Sequence, residues 1–264
     1  MSFTNDIKKE VIKNIISKED LNSFINGIKS SIFFNNKDSI LLNLRNSKIR
    51  ELFINKMNEY SFPYLKNGRK YSSTIIFEKG NHNFFDVKVP TQYFAGLFLS
   101  SGSISDIESL YYHLEINLNN RNVGKFIIDY LSRYKFEFKL LQRKNKFLVY
   151  IKKSDQLSDY LKAIGAVNAV IKFENKRINR DIMNSINKLS NLDVYNEEKM
   201  YDANIKFMRQ YDYLKRNKLD LFFRKVELEY FSLKSSNPQD SLNDIVYKLS
   251  KKTGINKTKS ALNH

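Results

Sequence analysis

Phe94-Ala95-Gly96-Leu97-Phe98-Leu99-Ser100-Ser101-Gly102-Ser103-Ile104-Ser105 is the stretch whose reading decides the fold. Pro90 opens it as a helix, because proline fixes φ and lacks an N–H that the first helical turn leaves unused. Earlier in the chain, Ile25-Asn26-Gly27-Ile28 matches Phe94-Ala95-Gly96-Leu97. Two helices that pair about a pseudo-twofold axis need a very small residue where their backbones approach, and Gly27 and Gly96 supply it. The chain reads as an internal duplication led by two paired helices.

The elements around these helices repeat in order. Residues 5–16 place Ile7, Val11, Ile12, Ile15 and Ile16 at helical spacing, and Ser17 with Asp20 starts the first lead helix. Phe33, Phe34 and the Asn35-Asn36-Lys37-Asp38 turn run into Ile40, Leu41, Leu42 and Leu44 as a hairpin. Residues 48–60 return to helical spacing, and residues 73–77 and 84–89 read as strands divided by the Gly80-Asn81 turn. After the second lead helix, residues 112–118 alternate as a strand, residues 123–134 are helical, and residues 136–141 and 147–151 form a hairpin turning at Lys144-Asn145. A helix from Ser154, with Leu157 and Leu161 on one face, closes the repeat.

The expected fold class is therefore α+β. An N-terminal helix covers residues 1–18, and two helix-hairpin-helix-hairpin units cover residues 19–165. From Ala166 the pattern is helical through Lys234, giving a helical linker over residues 166–217. Ser235-Ser236-Asn237-Pro238 is a turn, Ser241-Leu242-Asn243-Asp244 is a capping box opening a helix over residues 242–251, and Gly254 precedes a last helix around residues 256–264. This spacing is helix-turn-helix, so residues 218–264 read as an all-α DNA-binding domain.

The formal net charge of +17 points to an anionic partner, since a basic surface gains affinity for phosphates by releasing counterions. Part of it reflects coding bias, because 34 Lys against 11 Arg with 31 Asn is what an AT-rich sequence yields. Its distribution says more: residues 120–170 carry eleven Lys and Arg against four acids, and residues 201–264 carry thirteen against seven. Without cysteine there is no disulfide or thiolate zinc site, and His82, His113 and His264 are too scattered for a metal cluster. No cofactor is expected. No stretch approaches the roughly 18 to 20 apolar residues of a membrane span, and the charged N-terminus is unlike a signal peptide. The expectation is a cytoplasmic, nucleoid-associated protein with no membrane partner.

The segment quoted first resembles the LAGLIDADG helix of homing endonucleases. In that family the penultimate motif position is an Asp or Glu that binds the catalytic cation; here it is Ser101, and the same register puts Ile32 at that position in the first copy. A neutral group does not replace an anionic oxygen ligand for a hard divalent ion. The chain as a whole resembles the WhiA family of bacterial regulators, which joins a degenerate LAGLIDADG domain to a C-terminal helix-turn-helix. The resemblance rests on that motif followed by Tyr112-His113-Leu114-Glu115-Ile116, on residues 151–164 leading into Gly165-Ala166, on Met183-Asn184-Ser185-Ile186-Asn187-Lys188-Leu189-Ser190-Asn191, and on Thr258-Lys259-Ser260-Ala261-Leu262-Asn263-His264. Two departures stand out: Leu192-Asp193-Val194 replaces the family's Cys and Glu-Thr, and the family's basic tail follows the Asn-His pair at which this sequence stops.

The resemblance implies a non-enzymatic, sequence-specific regulator of transcription, linked to cell division or sporulation. Its partners would be double-stranded DNA and other transcription or division proteins. Lys257, Thr258, Lys259, Asn263 and His264 on the last helix are placed to face bases and phosphates, with Lys251 and Lys252 at the preceding helix end for phosphate contact. Arg143, Lys144 and Lys146 flank the hairpin turn of the basic domain, with Lys152 and Lys153 nearby, as a second phosphate surface. No catalytic or metal-binding residue is assigned; Asp106 and Glu108 lie beyond the motif helix, outside the expected ligand position. The Asn184, Asn187, Lys188 and Asn191 series shares one helical face without a decided role. Two other classes stay open, a metal-dependent LAGLIDADG endonuclease and a nonspecific DNA- or RNA-binding structural protein.

Overall fold

The computed structural model describes residues 2–32, 39–66, 73–78 and 85–263, without the side chain of residue 263. The turns expected at residues 35–38 and at Gly80-Asn81, together with His82 and His264, lie outside the described residues. The chain divides into two compact units, Met1–Arg180 and Asp181–His264.

The first unit opens with α1 (Phe3–Lys13) and α2 (Lys18–Ile32), followed by β1 (Ser39–Asn43), α3 (Ser47–Glu59), β2 (Leu65–Lys66) and β3 (Thr74–Glu78). The second copy runs α4 (Pro90–Ser101), β4 (Gly102–Ile104), β5 (Leu114–Leu118), α5 (Arg121–Ser132), β6 (Lys139–Arg143), β7 (Lys146–Ile151) and α6 (Ser154–Ala163). Each copy contributes an antiparallel sheet, β1-β3-β2 in the first and β4-β5-β7-β6 in the second. The fold is α+β, a duplicated architecture of paired helices and antiparallel sheets followed by helices. α7 (Val167–Arg216) begins in this unit, where Ala169, Val170 and Phe173 are buried, and its later residues belong to the second.

Gly27 and Gly96 sit where α2 and α4 touch backbone to backbone. A Cβ on Gly27 would lie 1.9 Å from the Tyr93 carbonyl oxygen, and one on Gly96 would lie 1.8 Å from that of Phe24. These contacts exchange under the duplication: Gly27 corresponds to Gly96 and Phe24 to Tyr93. The axis passes beside Ser31 and Ser100, whose hydroxyl oxygens are 2.5 Å apart across the same 69-residue separation. Phe24, Leu97, Phe98, Ile116 and Val149 are buried around this pair in one continuous core. Ser17 caps α2 by accepting from the Asp20 N–H at 3.1 Å, and Pro90 occupies the first turn of α4.

Two sequence expectations need correction. Residues 85–89 form no strand; Val89 donates its N–H to Ser23 Oγ at 3.3 Å and leads directly into the Pro90 turn. The strand beside β3 is instead the two-residue β2, with Leu65 opposite Ile76 and Lys66 opposite Ile75. The last helix, α10 (Lys259–Asn263), starts three residues later than the expected Asn256, because Thr258 caps it and residues 255–258 form the turn after Gly254.

Gly96→Ala is expected to destabilise the first unit by roughly 1–3 kcal/mol or more, since the backbones must separate. Gly254→Ala should cost only about 1 kcal/mol, from its φ of +70° alone, because a Cβ there meets nothing within 4 Å. Chemical unfolding of the two variants checks this; equal losses would mean that α2 and α4 are not held at backbone contact.

Candidate nucleic-acid interface

The second unit is built on a small core. α8 (Lys225–Ser236) supplies Tyr230, α9 (Leu242–Thr253) supplies Ile245 and Leu249, and Leu262 of α10 is among the partly buried side chains packed against them. Ser241 and Asp244 form the reciprocal cap of α9: the Asp244 N–H donates to Ser241 Oγ at 3.3 Å, and the Ser241 N–H donates to Asp244 Oδ2 at 3.1 Å. The Ser241 hydroxyl, with its N–H in support, holds the Asp244 carboxyl below the usual aspartate range. Gly254 ends α9 in the left-handed region, its N–H donating to the Ser250 carbonyl at 2.8 Å. Ser250 Oγ donates to Asn256 Oδ1 at 2.5 Å across the turn. The Ala261 N–H then donates to Thr258 Oγ1 at 3.2 Å, which starts α10.

The lysines of this motif divide into two sets. Lys252 is ion-paired with Glu229, and Lys248 bridges Asp240 at 2.5 Å and Asn237 at 3.0 Å. Both link α9 to α8 or to the turn between them. Lys251, Lys257 and Lys259 are exposed, and none has an acid within ion-pair distance among the described residues. Thr258 is a cap, Asn263 has its backbone at the end of α10, and His264 lies outside the described residues. Sequence reading could not find the Lys252–Glu229 and Lys248–Asp240 pairs, which join residues of no shared local pattern.

In the first unit, Arg143 stands opposite Lys146 across the β6–β7 hairpin, and Lys144 takes a left-handed φ of 55° at the turn. All three are exposed. Lys153, by contrast, is ion-paired with Glu137 at 2.5 Å, and Lys152 lies over the Tyr150 ring at 5.7 Å. The hairpin cations and those around α10 belong to different units. Asn184, Asn187, Lys188 and Asn191 are exposed along α7. His113 is partly exposed beside Glu115, Nε2 to Oε1 3.5 Å.

At the motif positions, Ser101 Oγ donates to the Leu97 carbonyl of its own helix at 3.0 Å, and Ile32 packs against the core. Asp106 accepts the Glu108 N–H at 3.0 Å, and Glu108 is paired with Lys176 at 2.5 Å. No group of three or more His, Asp or Glu side chains able to hold a metal ion occurs among the described residues.

Comparison with known families follows this division. The model of the WhiA LAGLIDADG-like domain matches residues 90–183, and that of the WhiA C-terminal HTH domain matches residues 186–264. The chain belongs to the WhiA family. A relative named probable cell division protein WhiA from Lacticaseibacillus paracasei is 36% identical over 156 residues, 58% of this chain and 49% of the relative. Its counterpart in Ruminiclostridium cellulolyticum is 39% identical over 117 residues, 44% of this chain and 37% of the relative. The chain thus spans about half or less of the curated WhiA proteins it matches. The crystal structure of full-length WhiA from Thermatoga maritima superposes with a TM-score of 0.64 at 22% identity, over 100% of this chain and 94% of that one, which is a likeness of fold.

Ser241→Ala removes the cap of α9 and is expected to cost about 1 kcal/mol, read as faster amide exchange across that helix. The carboxyl of Asp244 is depressed in the fold, so the cap acts at neutral pH and is lost as pH falls through that depressed value. Titration by carboxyl NMR should return Asp244 toward the ordinary range in the variant, and an unmoved titration would refute the cap's hold on it.

Proposed function

We propose that this protein is a non-enzymatic, sequence-specific DNA-binding regulator of transcription, connected with cell division as the names of its relatives indicate. The observation that carries the reading is the unpaired cation set Lys251, Lys257 and Lys259 around a capped α10 that Leu262 ties to the core. An ammonium held in an internal ion pair has little left to offer a phosphate, whereas an unpaired exposed one gains affinity by counterion release. In this proposal residues 1–18 are an N-terminal helix, residues 19–165 the degenerate domain, residues 166–217 a helical linker and residues 218–264 the DNA-binding domain. α10 reads base edges through Lys259 and Asn263, while Lys251 and Lys257 position it on the backbone.

Arg143 and Lys146 support a phosphate-binding role for the first unit. Like charges directly opposed on a hairpin destabilise it, and an external anion relieves that repulsion. Two weak contacts on one chain reinforce each other through effective concentration. The neutral residues at both motif positions support binding without cleavage. Working on the nucleoid, the protein would be cytoplasmic; among the described residues no helix is long and apolar enough to cross a membrane.

Genome-wide mapping of bound DNA supplies the target sites. On such a site, Lys259→Ala with Asn263→Ala is expected to lower affinity by roughly ten- to a hundredfold in a mobility-shift assay, and Lys251→Ala to reduce the salt slope by about one. Unchanged binding by the double variant, or magnesium-dependent plasmid cleavage abolished by chelator, would sink the reading.

A further inference from the structure

One part of the second unit carries the opposite sign. Residues 193–212 of α7 hold Asp193, Glu197, Glu198, Asp202 and Asp212 against Lys199, Lys206 and Arg209, in a chain whose formal charge is +17. Glu197, Glu198 and Asp212 line a groove of about 880 Å³ with Met200, Ile205 and Met208, and Arg209 is the single cation of the lining. Positions 197, 201, 205, 208 and 212 recur at helical spacing, so one face of α7 forms the floor. The face beside it is occupied: Phe207 and Tyr211 pack on Phe231 at centroid distances of 6.0 and 6.1 Å. Asn204 donates to the Pro238 carbonyl, which fixes the far wall, formed by Pro238 and Gln239, against α7.

The acids of the groove differ from their neighbours in the same unit. Glu227, Glu229 and Asp240 are ion-paired with Arg224, Lys252 and Lys248. Glu197, Glu198 and Asp212 have no ion-pair partner among the described residues, although the sequence holds 45 Lys and Arg against 28 acids. An unpaired acid rim repels phosphate and draws ammonium or guanidinium groups. The half-buried Met200 and Met208 add an apolar floor that adapts to the side chain it meets.

We propose that this groove docks a basic amphipathic helix of a partner protein. Its apolar stripe would lie on Met200, Ile205 and Met208, and its Lys or Arg residues would face Glu197, Glu198 and Asp212. The surface is separate from the DNA reading above, because three acids against one cation in its lining disfavour the phosphate that α10 would take.

The test uses the full chain and a labelled helical peptide of Leu and Lys patterned at the helical period, read by fluorescence anisotropy. Saturable binding is expected, weakened roughly tenfold or more by Glu197→Lys with Glu198→Lys, weakened by Met208→Asp, and unchanged by Lys259→Ala. Both glutamates are exposed on a helix, so their double variant should keep its unfolding midpoint. DNA mobility shifts should be undiminished in the same variant. Absence of peptide binding, equal binding by the double variant, or loss of DNA binding in that variant would each overturn the proposal. So would self-association in sedimentation velocity that the double variant abolishes, since the occupant would then be a second copy of this chain.

Discussion

The structure of the first unit depends on the backbone contact between α2 and α4. Gly27 against the Tyr93 carbonyl and Gly96 against that of Phe24 leave no room for a methyl group at either place. Everything else in the duplicated domain is arranged around that distance. Each lead helix buries its apolar residues, among them Phe24, Ile28, Leu97 and Phe98, in the shared core, and the two antiparallel sheets follow from the two copies. At the ends of the helices the same closeness brings Ser31 and Ser100 into hydrogen-bond contact. Anionic groups at the adjoining positions 32 and 101 would stand near the same axis and repel unless a cation lay between them. With Ile32 and Ser101 there, neither position brings such a charge to the axis.

Much of this was legible because the decisive signals are local or repeat. The match of Ile25-Asn26-Gly27-Ile28 to Phe94-Ala95-Gly96-Leu97 located the pairing glycines, whereas the Ser31–Ser100 contact emerged only from the structure. Ser241 and Asp244 announced a helix start by spacing alone, and Gly254 its end. Misreadings arose where tertiary structure overrides pattern. Residues 84–89 alternate well enough for a strand, yet the place beside β3 is taken by Leu65 and Lys66, which no periodicity marks. α10 starts later than residue 256 because Asn256 is held back against Ser250 of α9, and Thr258 accepts the first helical N–H.

Charge was the feature least legible from sequence. The sum of +17 describes neither end of the second unit: Lys252 and Lys248 are consumed by internal acids, while Lys251 and Lys257 have none within ion-pair distance among the described residues. Adjacent lysines in sequence thus differ in kind. The distinction rests on Glu229 and Asp240, whose pairing with α9 depends on how α8 and the turn after it fold back. For ligand binding the relevant quantity is the count of unpaired charges at a surface, because only these exchange small counterions for a macromolecular one.

The same distinction explains how one small helical unit can hold surfaces of opposite preference. Its buried core is limited to Tyr230, Ile245 and Leu249 with partly buried neighbours, so few side chains are committed to the interior and many remain on the surface. The acids nearest α10 are themselves ion-paired, Glu227 with Arg224 and Glu229 with Lys252, which lessens their competition with phosphate for the cations there. Along residues 197–212 of α7 no such pairing occurs among the described residues, and the acids stand beside an apolar floor. Screening over about 8–10 Å at physiological salt lets such patches act independently when they are further apart than that. A single net charge conceals both, whereas the pairing of individual residues separates a surface that favours phosphate from one that favours a cationic helix.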